Sequence, residues 1–153
     1  MMNDPRRLEI SGQNFQQLIS GVVEKGASVT FKVTGKSMFP NIISNDILTL
    51  APYQDRMPQV GDVVGVANPV THQVIVHRII NKKKGLFLIK GDNILKSDGL
   101  FMKKSIIGYV CRIRRNNSNI AITKLKNKKN AFLSRIRFFC LSKPLFYFNI
   151  IKY

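Results

Sequence analysis

A serine that could act as a nucleophile stands in Gly35-Lys36-Ser37-Met38-Phe39-Pro40, at the point where an alternating apolar run ends. A serine hydroxyl attacks poorly until a base removes its proton, and a strand end followed by a constrained turn holds it in one geometry. Gly35 lets a bound backbone approach closely, and the Ser37 amide can donate to an oxyanion that develops on an attacked carbonyl. Read alone, the hexapeptide is equally a turn with an incidental serine.

The base that such a serine needs has a counterpart in Val74-Ile75-Val76-His77-Arg78-Ile79-Ile80. Strand alternation puts Ile75, His77 and Ile79 on one face and Val74, Val76 and Arg78 on the other. A histidine among β-branched residues is more often a packed core residue than a base; the upstream serine motif tips the reading toward chemistry. A third stretch, Lys90-Gly91-Asp92-Asn93-Ile94-Leu95-Lys96-Ser97-Asp98-Gly99, carries two carboxylates. Either Asp92 or Asp98 could accept a hydrogen bond from the imidazole and fix its tautomer, and both are also ordinary turn aspartates.

The elements that must position these groups are legible from periodicity. Ser11 to Gly26 reads as an amphipathic helix, with Phe15, Leu18, Ile19 and Val22 at helical spacing and Gly26 as its stop. From Ser28 the period becomes two, which predicts a strand through Val29, Phe31 and Val33. Further strands are predicted at Ile47 to Leu50, Asp62 to Ala67, Gln73 to Ile80, Leu86 to Lys90, Ile106 to Arg114 and Asn119 to Thr123. Turn residues separate them, among them Asn68-Pro69, Asp98-Gly99 and Asn116-Asn117. Short, closely spaced strands of this kind predict a mainly β barrel or folded-over sheet. The expected organisation is a helical segment over 1–26, a catalytic β domain over 27–123 and a basic, aromatic tail over 124–153.

The chain has 153 residues and a net charge of +17, very unevenly spread. Every acid lies at or before Asp98, while residues 99–153 hold 13 Lys and Arg. Such a field attracts an anionic membrane surface or nucleic acid. Phe132, Leu133, Ile136, Phe139 and Cys140 form one stripe of a predicted C-terminal helix, bordered by Arg135 and Arg137, which is the pattern of an interfacial helix and equally of one packed back on the domain. The aromatics gather in this tail instead of interleaving with basic residues on strands, which favours lipid over nucleic acid as partner. The apolar stretch Phe138 to Ile151 is interrupted by Lys143 and Pro144 and is too short to span a bilayer. Cys111 and Cys140 sit among apolar neighbours and no export signal leads the chain, so two buried thiols in a reducing cytoplasm are expected, with peripheral contact to a membrane.

Taken in order, Gly-x-Ser-Met-x-Pro, Gly61-Asp62-Val63-Val64, Val76-His77-Arg78-Ile79, Lys90-Gly91-Asp92-Asn93 and Ile107-Gly108-Tyr109-Val110 resemble the signal peptidase I superfamily. His-Arg followed by Lys-Gly-Asp-Asn is similar to its endoplasmic-reticulum and archaeal branch, which pairs serine with histidine instead of lysine. The resemblance covers roughly Val29 to Arg114. It implies a LexA-like or signal-peptidase-like β assembly without a cofactor. It further implies Ser37 as nucleophile, His77 as base, Asp98 as acidic partner with Asp92 mainly structural, and a peptide substrate with small side chains before the scissile bond. Gly35 stands where some relatives carry a hydroxyl that helps hold the oxyanion, leaving that task to backbone amides. The 36 residues ahead of Ser37 contain an amphipathic segment where relatives have a membrane anchor. The same superfamily includes LexA-like repressors that cut themselves with serine and lysine. Lys82, Lys83, Lys84 and Lys90 would be the lysines for that chemistry. A non-catalytic descendant that uses its cationic face to bind is the remaining alternative.

Overall fold

Helix α1 (Gly12–Glu24) buries Phe15, Ile19 and Val23, one residue per turn along a single line. Leu18, expected on that line, is 40% exposed, so the buried face is rotated toward Val23. The helix stops where Gly26 takes φ 83° and the amides of Gly26 and Ala27 bond back to the carbonyls of Val23 and Val22. This two-bond closure needs a left-handed residue and suits glycine. The computed structural model describes residues 12–68 and 71–122; Ser11, Cys140 and the predicted C-terminal helix lie outside them.

The described chain is mainly β, with eight strands in one antiparallel sheet: β1 (Val29–Lys32), β2 (Ile47–Ala51), β3 (Val63–Ala67), β4 (Val74–Lys83), β5 (Leu86–Lys90), β6 (Gly99–Phe101), β7 (Ile106–Arg115) and β8 (Ser118–Ile120). The sheet order is β1-β2-β7-β3-β4-β5-β6, with β8 paired to β7. β6 falls where the sequence reads as a turn at Asp98-Gly99, and β4 runs on through Lys83, beyond its apolar part.

Alternation gives this sheet a core on each side. Phe31, Val33, Leu48, Leu50, Val63, Val74, Val76, Val110 and Ile113 pack with α1, and the Phe15 and Phe31 rings meet edge to face at 5.7 Å. Val64, Val66, Ile79, Phe87, Ile89, Phe101 and Ile106 form the second core, with Tyr53, Ile75 and Tyr109 packed against it. Strand β4 lies between β3 and β5, and from Val74 to Ile80 its side chains are buried or half-buried on both faces.

The β2–β7 ladder slips once: Thr49 faces Arg112 but Leu50 faces Val110, so Cys111 is the surplus residue of a bulge. This overturns the expectation of a buried thiol at position 111. Cys111 is exposed, its sulfur 3.4 Å from the Thr49 carbonyl oxygen. Among the described residues no helix is long and apolar enough to cross a membrane.

Candidate functional site

The Ser37 loop runs from the end of β1 to the start of β2 and is clamped at several points. Val33 and Asp46 close its base through Val33 N–H to Asp46 O at 2.9 Å, and Asn45 N–H returns to Val33 O at 2.8 Å. Asp46, only 1% exposed, accepts both Nε and a terminal nitrogen of Arg115 at 2.8 Å, and it caps the Ile43 amide at 2.9 Å. These hydrogen bonds hold the Arg115 guanidinium above its ordinary pKa. Gly35 has φ 107°, and a side chain added there would meet nothing within 4 Å. Its backbone therefore lies open beside the serine, in a conformation that suits glycine.

The segment after β5 is stitched to that loop. Asn93 donates its amide to the Ser37 carbonyl at 2.8 Å and its side chain to the Lys36 carbonyl at 3.1 Å. The Asp92 amide points at the Met38 sulfur at 3.4 Å. Lys90 pairs with Arg78 in the β4–β5 ladder, so Gly91 follows on opposite His77. A Cβ at Gly91 would lie 2.7 Å from the Ser37 carbonyl oxygen and 3.0 Å from His77 Nε2, so those two groups face the same small space. Gly91→Ala is accordingly expected to destabilise the fold by about 1–3 kcal/mol in urea titration. The Asn93 amide should lose hydrogen-exchange protection before the sheet amides do.

The histidine and the two aspartates sort themselves by strand face. His77 Nδ1 lies 2.6 Å from Asp98 Oδ2, with the histidine side chain 6% and the aspartate side chain 23% exposed. A carboxylate accepts, so Nδ1 carries the proton and Nε2 presents its lone pair. Nε2 is buried and has no hydrogen-bond partner; the Ser37 hydroxyl does not donate to it in this conformation. Ser37 is 7% exposed and lines a cavity of about 10 Å³ with Val33, Thr34, Gly35, Met38, Ile42, Leu48 and Val76.

Asp92 is engaged elsewhere. The fully buried Arg78, on the opposite face of β4, grips it with Nε to Oδ1 at 2.8 Å and a terminal nitrogen to Oδ2 at 2.7 Å. Arg78 also donates to the Gly61 carbonyl at 2.9 Å, and Asn41 donates to Asp92 Oδ2 at 2.7 Å. Asp92, an alternative acid on sequence grounds, is thus the counter-ion of Arg78, and Asp98 is the carboxylate that meets the histidine. Asn41 links both clamps, since its carbonyl also receives a bond from Arg115 at 3.3 Å. Asn41 carries no chemical signal in the sequence, and Asn93 enters only as the last residue of the Lys-Gly-Asp-Asn motif. The need of a buried arginine for a carboxylate is the signal that would have assigned Asp92.

Asp62 braces the same region from the other side. It accepts Tyr53 Oη at 2.7 Å and the Gln59 amide at 3.0 Å, with Arg56 at 3.2 Å. Burial, reinforced by the bond to Asp62, pushes the Tyr53 hydroxyl far above its ordinary pKa. The Arg56 guanidinium sits 4.1 Å over the Tyr109 ring and 4.9 Å over that of Tyr53. Lys82, Lys83 and Lys84 are exposed on the β4–β5 hairpin, with the Lys82 amine 5.4 Å from the Phe87 ring centre. Among the described residues no cluster of His, Cys, Asp and Glu has the makings of a metal site.

Comparisons of the chain with family models, with curated proteins and with solved structures find no match.

Proposed function

We propose that the chain is a serine endopeptidase of the signal peptidase type, with Ser37 as nucleophile, His77 as general base and Asp98 as the residue that orients it. The observation that carries this reading is His77 itself. It is held by a carboxylate at Nδ1, while its unpartnered, buried Nε2 is turned to the space beside Ser37. A buried polar atom without a partner costs roughly 1–3 kcal/mol and calls for an explanation in function. Proton transfer from the serine hydroxyl supplies one, because hydrogen bonds between base and nucleophile commonly tighten only when substrate is bound.

In this reaction the Ser37 hydroxyl adds to the scissile carbonyl as its proton passes to His77 Nε2. The C–N bond then breaks as the imidazolium returns that proton to the leaving amine, leaving an acyl-serine. Water, deprotonated by the same nitrogen, releases the acid and restores the hydroxyl. With Gly35 at the position of the missing hydroxyl, the oxyanion is held by backbone amides, that of Ser37 among them. The cavity beside Ser37, at about 10 Å³, excludes a large side chain in this conformation, which is in keeping with a preference for small residues before the scissile bond. The order of motifs that resembles the Ser-His branch of the signal peptidase superfamily supports the same chemistry.

Covalent labelling by a fluorophosphonate probe tests the proposal. Labelling is expected in the native protein, none at position 37 in Ser37→Ala, and a rate reduced by at least about a thousandfold in His77→Ala. Equal labelling of all three proteins would leave a cationic β domain that binds without cutting.

A further inference from the structure

The outward face of β1, β2, β7 and β8 carries cations in register. Residues directly opposite in an antiparallel ladder point to the same side of a sheet. One cross-strand row runs Lys32, Ile47, Arg114, Asn119, and the next runs Thr30, Thr49, Arg112. The residues between them, Phe31, Leu48 and Ile113, are buried in the core under α1, so both rows face away from it. Arg112 and Arg114 are exposed. The one carboxylate adjoining these strands in sequence, Asp46, is buried and closed by Arg115, so it does not neutralise the rows. After β8 the sequence of residues 123–153 adds eight Lys and Arg and no acid.

We infer that this face is a docking surface for a bilayer that contains anionic lipid. The charge selects an anionic partner, and the side chains between the cations select among anionic partners. Single-stranded nucleic acid is held by aromatic platforms, and a duplex by an element that enters a groove. The two rows offer Thr, Ile and Asn and no aromatic, and the Thr30 and Thr49 hydroxyls are bonded to each other at 3.1 Å. A broad sheet face with scattered cations suits a plane of phosphate headgroups. The chain that follows supplies Phe132, Phe138, Phe139, Phe146 and Tyr147, an interfacial composition. The inference deepens the membrane reading of the tail by naming a surface on the folded domain, and it does not depend on chemistry at Ser37.

The test is co-sedimentation of the full chain with phosphatidylcholine vesicles, with and without phosphatidylglycerol. Binding is expected only with the anionic lipid. The triple variant Lys32→Gln, Arg112→Gln, Arg114→Gln should weaken it on the order of a hundredfold, since each cation near such a surface contributes about fivefold. Removing the same charge from the β4–β5 hairpin, with Lys82→Gln, Lys83→Gln, Lys84→Gln, should weaken it less than about threefold. Equal losses in the two variants would overturn the inference in favour of unspecific attraction by net charge. Tighter binding to an oligonucleotide than to vesicles, lost in the Lys32 variant, would overturn it in favour of nucleic acid. Urea midpoints and fluorophosphonate labelling of both variants report folding and Ser37 chemistry separately from lipid binding.

Discussion

Asp98→Asn is expected to slow acylation of Ser37 by about ten-thousand-fold while hardly moving the urea midpoint. The carboxylate accepts from His77 Nδ1 at 2.6 Å and thereby keeps the lone pair on Nε2. An asparagine offers an N–H at nearly the same place, which favours the opposite tautomer and puts the proton where the lone pair is needed. The Asp98 side chain is 23% exposed, so the exchange leaves no buried charge unpaired and the fold has little to lose. The measurement is the second-order rate of fluorophosphonate labelling beside the urea midpoint. Labelling within tenfold of the native rate would remove Asp98 from the mechanism and leave at most a Ser-His pair.

Arg78→Ala is expected to have the opposite profile, costing about 3–5 kcal/mol of stability because it strands a carboxylate in a site closed to water. Asp92 is 9% exposed at its side chain and would keep only Asn41 as a side-chain partner from this network. Asp92→Ala should cost a comparable amount by stranding the guanidinium. The double variant should lose clearly less than the two singles together, since each deletion removes the reason for the other. Urea titration of the four proteins closes the cycle; additive losses would mean that the bidentate geometry contributes nothing specific. The effect should reach Ser37, because Arg78 ties the Gly61 carbonyl, Asp92 and, through Asn41, the serine loop into one network.

Much of this arrangement is legible in the sequence wherever a strand has one or both faces in a core. The alternation of Val29 to Val33, Ile47 to Leu50 and Leu86 to Lys90 locates β1, β2 and β5 to within a residue or so because burial enforces period two. The three-residue β6 is hidden because Gly99, at φ 112°, and the half-exposed Leu100 give no such pattern; its ladder to β5 is a backbone property. The same holds for Asn81, Lys82 and Lys83, which extend β4 by pairing with β5 while their side chains face water. At the site, residue types single out Ser37 and His77 and leave the two aspartates open; the resemblance implies Asp98, and in the structure it is Asp98 that meets His77. Parity on β4 sends Arg78 to Asp92 and leaves Asp98 for His77. On the helix, Leu18 and Val22 share helical spacing with Phe15 and Ile19, yet Leu18 is exposed and Val23 takes the buried place, since all are apolar and periodicity alone does not distinguish them.

The surplus residue at Cys111 makes the length of β7 as informative as its composition. Val110 and Ile113 stand three apart, an odd spacing that an unbroken pleat would split between inside and outside. Substitution at 111 therefore exchanges one solvent-facing group for another. Deletion would close the bulge, setting Val110 and Ile113 two apart on one face of a regular pleat with both guanidinium groups still outside, so it would remove the local twist and leave the burial frame intact.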